Sequence, residues 1–268
     1  MKIYSSSTTM PLAKLREMIR VRGQREDIYS RPDFWNSKAQ NYDGSAVSMW
    51  PNRALNAFYE REQRDFLLAH LPNVHGLSIL DVGCGTGRLS RHLAERGARV
   101  TAFDFAEAPV AIAKRQPKPK MGETTYRVQS IFELADENAY DAAVVIGALT
   151  VACKNAAELK DALSRIHHSL KVGGKFLLIE PIHKGFLHRV LDLSVTDFMQ
   201  VMEETGLRVT SLKELHFWPT RLPLSLFNWP QPLTAAGYYI GQGLMRVGGR
   251  KFGLGDYKGL ISVKVGEA

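Results

Sequence analysis

Two cysteines in 268 residues, Cys84 and Cys153, are too few for a disulfide framework and point to a reducing compartment. No apolar run approaches the ~18 residues that a membrane span needs. The opening MKIYSSSTTMPLAKLREMIRVRGQRED also lacks the apolar core of a signal peptide. The expectation is therefore a cytoplasmic protein. No block of Lys and Arg is dense enough to name a partner, although a net charge of +8 tilts the chain towards nucleic acid, anionic lipid or an acidic substrate. Internal repeats, an arginine-rich module and an appended nucleic-acid domain are all missing, so nucleic acid is the weakest of the three partners. No His/Asp/Glu spacing marks a metal site. An apolar fraction of 45% and a charged fraction of 23% are those of an ordinary globular protein with a sizeable core.

The periodicity then sets the organisation. RALNAFYEREQRDFLLAHL carries Leu55, Phe58, Phe66, Leu67 and Leu71 largely on one helical face. LSILDVG reads as a buried strand, GRLSRHLAERG as a helix stopped by glycine, and ARVTAFDF as a second strand. The alternation continues: helix APVAIAKRQ, strands TTYRVQS and YDAAVVIGAL, helix AAELKDALSRIHHSL, turn KVGG, strand KFLLIEPI, helix VTDFMQVMEETG, strand LRVTSLKELHF and a closing strand GLISVKV. Strands alternating with helices predict an α/β, doubly wound, mostly parallel seven-stranded sheet covered on both faces. Residues 1–58 are read as an N-terminal helical cap and 59–268 as the core. Within the core, 219–257 form an insertion before the last strand. A connection that long is usually functional.

The stretch LDVGCGTGR, residues 80–88, follows the first strand and opens a helix. Bare backbone there lets a ligand approach where any Cβ would collide, and the helix start offers free N–H groups. A P-loop is excluded because no Gly-Lys-Ser/Thr follows. A dinucleotide fingerprint asks for a third glycine at position 88, where Arg88 stands. The third glycine is Gly87, and an acid, Asp81, precedes the turn.

With Asp81, Gly83, Gly85 and Gly87 in place, the stretch resembles the first motif of the class I S-adenosylmethionine-dependent methyltransferases, an acid followed by G-x-G-x-G. The resemblance covers roughly residues 33–218 and the last strand. It implies a Rossmann-like methyltransferase fold with S-adenosyl-L-methionine as cofactor. Gly83, Cys84, Gly85 and Gly87 would then lie along the methionine and ribose, and Asp81 would face the ammonium. Asp104, ending the second strand, would accept the ribose hydroxyls, and Phe105 would lie against the adenine. In many relatives an acid meets the adenine amine after the third strand. Here Ser130 holds that place, with the Ile131 N–H beside it. Gly147 and Leu149 match the backbone that meets the methionine ammonium, and Tyr42, in AQNYDG, matches a lid that closes over the methyl donor.

The acceptor is less legible. After the fourth strand GALTVAC replaces the Asn/Asp-Pro-Pro-Tyr/Phe that holds a nucleobase or amide nitrogen in some relatives, and no paired cysteines suggest a thiol relay. The insertion combines Phe217, Trp218, Phe227, Trp229, Tyr238 and Tyr239 with Arg221, Arg246, Arg250 and Lys251, against a single acid, Asp256. That mixture suits an apolar substrate with an anionic end, or peripheral contact with an anionic membrane. It equally suits a lid that completes the core. EPIHKGFLH offers Glu180, His183 and His188 near the crevice, with His183 the leading general base. The expected act is methylation of an oxygen, less readily a nitrogen or carbon, on a small or lipid-like molecule. The rivals are an RNA or protein methyltransferase, a non-catalytic cofactor-binding regulatory subunit, and an NAD-dependent oxidoreductase.

Overall fold

The computed structural model describes residues 24–40, 51–185, 188–249 and 253–266. Tyr42, Arg250 and Lys251 lie outside them. Two short helices, α1 (Arg25–Tyr29) and α2 (Pro32–Ala39), precede the long α3 (Arg53–His70), which runs unbroken past position 58. Then follow β1 (Ser78–Val82), α4 (Arg88–Ala94), β2 (Arg99–Asp104), α5 (Glu107–Arg115), β3 (Glu123–Val128), β4 (Tyr140–Ile146) and the short α6 (Leu149–Ala152). The second half holds α7 (Ala156–Ser169), β5 (Leu170–Glu180), α8 (Val195–Glu204), β6 (Leu207–Phe217), α9 (Trp218–Leu226), α10 (Gln231–Leu244) and β7 (Gly255–Lys264).

The seven strands form one sheet in the order β3-β2-β1-β4-β5-β7-β6, parallel except that β7 runs antiparallel to both of its neighbours. Successive strand residues point to opposite faces. Ile79, Ala142, Val144, Leu177 and Ile179 therefore pack against Phe66 and Leu67 of α3 and Leu93 of α4. Leu80, Ala143, Val145, Phe176 and Leu178 pack against Leu159, Leu163 and Ile166 of α7 and Phe198 and Met202 of α8. Burial on both faces is why these strands read as unbroken apolar runs. Each fully buried large side chain contributes roughly 1.5–3 kcal/mol.

Polar side chains fix the helix starts. Asn52 Oδ1 accepts from Leu55 N at 3.1 Å and Asn155 Oδ1 from Glu158 N at 3.0 Å. Ser194 and Asp197 form a reciprocal capping box.

One local reading changes. KVGG, read as a turn, belongs to β5, which starts at Leu170 and carries Gly173 at φ 76°. The ladder slips between Tyr140 and Ala142, and this irregularity absorbs the glycines. The insertion before β7 folds as two helices and a π turn over Met245–Gly249. Its glycines have a packing reason. A Cβ on Gly241 would lie 2.4 Å from Thr220 Oγ1 and one on Gly237 3.0 Å from Leu224, so α10 approaches α9 only because they are bare.

β1 pairs with β2 on one side and β4 on the other, so the order of connections reverses at its carboxyl end. In such a sheet the crevice for a ligand opens there. α2 rests on α5 above that crevice, where Ala108 N donates to Asn36 Oδ1 at 2.8 Å.

Candidate functional site

A cavity of about 1880 Å³ occupies the carboxyl ends of β1, β2, β4 and β5. Its floor is the glycine turn. Gly83, Gly85 and Gly87 all hold positive φ, at 69°, 53° and 71°, where a side chain is strained. They do so for different reasons. A Cβ on Gly83 would lie 2.5 Å from Ala148 Cβ, and one on Gly87 2.6 Å from the Tyr126 hydroxyl. A Cβ on Gly85 would meet nothing within 4 Å, since it would project into open space. Gly83 and Gly87 serve packing; Gly85 leaves room for a ligand. At position 88 a Cβ is accommodated, and Arg88 pairs with Glu60 of α3.

Two carboxylates bracket the turn. Asp81 is buried, accepts from Ser90 Oγ at 2.5 Å, and lines the cavity. Burial, with the Asp104 charge as a smaller addition, raises its pKa from 3.8 to about 6, the Ser90 hydrogen bond opposing. Asp104 accepts from Gly85 N at 2.9 Å and from Ala106 N at 3.0 Å, so each oxygen uses one lone pair and keeps another. Burial pushes its pKa up too, against those N–H bonds. Cys84 lies between the two acids, where burial and their charge hold its thiol well above the usual range.

Phe105 lines the cavity with 36% of its surface exposed. Ser130 and Ile131 stand beside it, and the Ser130 hydroxyl also caps the 3₁₀ turn Ile131–Glu133 by accepting from Phe132 N at 3.3 Å. Gly147, at φ 67°, and the buried Leu149 line the opposite wall. Of the expected cofactor contacts within the described residues, all but Gly87 border this one cavity; Gly87 sits behind the turn, against Tyr126.

The wall at Gly147–Thr150 is held by a residue first read as a candidate base. Glu180 is wholly buried, and its carboxylate accepts from Ala148 N at 2.6 Å, Leu149 N at 2.8 Å, Thr150 N at 3.3 Å and Thr150 Oγ1 at 2.6 Å. Such a carboxylate positions the loop and has no role as a mobile base. Burial raises its pKa against those bonds.

His183 is placed outside the cavity lining. Its Nε2 lies 2.8 Å from Asp256 O and 3.3 Å from Asp256 Oδ1, behind the wall. Asp256 itself faces the cavity and is gripped by Arg221, whose Nε is 3.0 Å from Oδ2 and Nη2 3.2 Å from Oδ1. Despite complete burial, Arg221, His183 and Arg189 hold this carboxyl well below its ordinary pKa. Arg189 completes the group, its cation stabilised by Tyr257 and Asp256 against burial.

The cavity has further walls that the sequence did not single out. His216 lines it, buried, at φ 55°, its ring stacked on Tyr59 at 4.0 Å and its pKa lowered by burial. From α1 and α2 come Tyr29, Phe34 and Trp35, mutually packed with centroids 5.1–5.9 Å apart. The aromatic run Phe34–Trp35 was the one available signal, since nothing in its spacing indicates which crevice it covers. No group of three or more His, Cys, Asp or Glu able to hold a metal occurs among the described residues.

A doubly wound sheet with a bare-backbone turn at its switch point, bracketed by acids, defines a nucleotide-type ligand binder. Residues 79–174 match the family model described as a methyltransferase domain. The matched span runs from β1 into β5 and holds the glycine turn, Asp81 and Asp104. The chain is 33% identical over 152 residues to a ubiquinone biosynthesis O-methyltransferase of Xanthomonas oryzae pv. oryzae, covering 54% of this chain and 61% of the relative. It is 47% identical over 62 residues to the enzyme of that name from Azotobacter vinelandii, 23% of this chain and 27% of the relative. It thus spans less than two thirds of the relatives' length.

Among solved structures, the magnesium protoporphyrin IX methyltransferase of Synechocystis PCC 6803 with bound SAH aligns with a TM-score of 0.58 at 16% identity. That alignment covers 91% of this chain and 99% of that one. The [4+2]-cyclase SpnF aligns with the same TM-score at 20% identity, covering 86% and 91%. These likenesses show the fold, which carries a methyltransferase in one case and a cyclase in the other; the reaction must be argued from the site.

Proposed function

We propose that the protein transfers a methyl group from S-adenosyl-L-methionine to an oxygen of a small, apolar or lipid-like molecule. The observation that carries this is Gly85, whose missing side chain opens onto the cavity between the carboxyls of Asp81 and Asp104. A cofactor bearing an ammonium and a sulfonium, with no pyrophosphate, suits two flanking acids; a dinucleotide would be repelled by them. Gly85 fits the bare-backbone seat, Asp104 retains lone pairs for the ribose hydroxyls, and Phe105 presents a face to the adenine. The bound cofactor supplies an activated methyl group on sulfur. The chain's own work is to align the acceptor and exclude water.

At about 1880 Å³ the cavity exceeds the ~300–1,000 Å³ that encloses one drug-sized ligand. That leaves room for an acceptor beside the cofactor. Its aromatic walls favour an apolar ring, and the two guanidiniums against one carboxylate, Arg189 and Arg221 with Asp256, leave a net positive wall for an anionic or phenolic end. His183 enters this reading as a positioning residue for Asp256. The names of the relatives, ubiquinone biosynthesis O-methyltransferases, support a ring hydroxyl on a lipid-like molecule. Peripheral contact with an anionic membrane belongs to the same reading. No helix among the described residues is long and apolar enough to cross a membrane.

The test is incubation of lipid and aqueous extracts with methyl-labelled cofactor, followed by mass spectrometry. Label in an apolar, base-stable ether product is the expected result. Label in RNA or protein, or binding without transfer in any fraction, overturns it.

A further inference from the structure

Helix α10 carries no Asp, Glu, Lys or Arg over its 14 residues, yet it is not enclosed. One face, Thr234, Gly241 and then Met245, is buried against α3 and α9. Adjoining it, about 100° round the helix, is a second, exposed apolar stripe: Leu233, Ile240, Leu244 and Val247, at helical spacing and 51–90% exposed. An apolar stripe of that length left outside the core belongs against another apolar phase.

The stripe does not stand alone. On α9 and the turn after it, Leu222, Leu226 and Phe227 are 39–51% exposed and also line the cavity. The inner site and the outer apolar surface therefore meet at these three residues. Trp229 and Tyr239, amphipathic rings suited to a headgroup layer, lie half-exposed at the margin. Charge is one-sided: residues 218–249 contain no acid, while Arg246 is exposed at the end of the stripe and Arg61, exposed on α3, donates to Tyr239.

We propose that α9 and the outer stripe of α10 dock on an anionic lipid bilayer, and that the acceptor enters the cavity directly from it between Leu222, Leu226 and Phe227. The substrate part rests on the proposed methylation of a lipid-like acceptor; the docking part does not. A bilayer is favoured over a protein partner because, among the described residues, the exposed stripe is apolar and its margin carries Arg61, Arg246 and the amphipathic rings of Trp229 and Tyr239. An acceptor with a long apolar tail would then never cross water.

The experiment uses the full chain with phosphatidylcholine vesicles, with and without about a third phosphatidylglycerol. The comparison variant is Ile240→Asp with Leu244→Asp, two stripe residues that do not line the cavity. The wild type should float with the anionic vesicles, weakly with neutral ones, and the variant should lose at least tenfold in partitioning. Its melting temperature and S-adenosylhomocysteine affinity should hold. The kcat/KM for a long-chain alkyl catechol dissolved in the vesicles should fall at least tenfold, with that for catechol in buffer unchanged. Equal flotation of the variant overturns the proposal. A wild type that stays in solution also overturns it: as a dimer dissociated by the variant, the stripe is a self-association face; as a monomer, the chain's own residues cover it. Vesicle binding without methyl transfer to either catechol leaves the docking standing and overturns the proposed activity.

Discussion

Replacing Gly85 with alanine separates the glycine assigned to the proposed cofactor from its neighbours. The cost to the fold is confined to the backbone, because the residue sits at φ 53° and the new methyl would touch nothing within 4 Å. Left-handed backbone costs an alanine roughly 1–2 kcal/mol, which in a chain of this size lowers Tm by about 2–8 °C. The same methyl occupies the seat assigned to the cofactor, so binding should suffer far more than folding. A loss of tenfold or greater in S-adenosylhomocysteine affinity is expected, equivalent to at least ~1.4 kcal/mol. Gly83→Ala is the control. Its methyl would lie 2.5 Å from Ala148 Cβ, so the collision adds to the backbone strain and the fold loses more than in Gly85→Ala. Titration calorimetry with S-adenosylhomocysteine, beside thermal melts of the ligand-free proteins, reads both quantities. Wild-type affinity in Gly85→Ala would refute the reasoning, as would a Gly85→Ala melt lower than that of Gly83→Ala.

Three further outcomes follow from the carboxylates. Asp81, held at about 6 against an ordinary 3.8, favours the folded state when protonated; its contribution is full below 3.8 and lost as pH rises through 6. Asp81→Asn should therefore raise the ligand-free Tm at pH 7.5, by the equivalent of up to about 3 kcal/mol. It should also weaken cofactor binding and flatten its rise between pH 5 and 7; an unchanged melt and pH profile would remove Asp81 from the site. Glu180→Gln replaces one acceptor oxygen by a donor facing the Ala148–Thr150 donors, which should cost about 2–3 kcal/mol and weaken cofactor binding through the displaced loop. Circular-dichroism melts and calorimetry check this; wild-type stability would sink the loop-clamp role. Arg221→Met removes the bidentate partner of the buried Asp256 carboxylate, leaving it to His183 and Arg189, and should cost up to about 3–5 kcal/mol at neutral pH. Because Asp256 titrates low in the fold, its contribution is present above pH 3.8 and lost as pH falls further, so the melting deficit of Arg221→Met should shrink on acidification.

The alternation of apolar runs with helical patterns, and the offsets among Asp81, Gly83, Gly85, Gly87 and Asp104, lie close together in the chain. Strand and helix periodicity and the chemistry of one tight turn are local, so the sheet, its crevice and most of the residues along the crevice floor were legible from residues alone. Glu180 and His183 show the limit. Three positions apart at the end of one strand, they read alike as candidate bases, and only the loop of β4 and the tip of β7 reveal that each is held in place by hydrogen bonds. The far side of the cavity draws on α1, α2, α3, α9 and β7, far apart in the chain. Which aromatics meet there, and which face of α10 is left bare, depended on helix packing rather than on sequence spacing. Side-chain type set what each residue could do, and packing across the sheet decided which of them share one cavity.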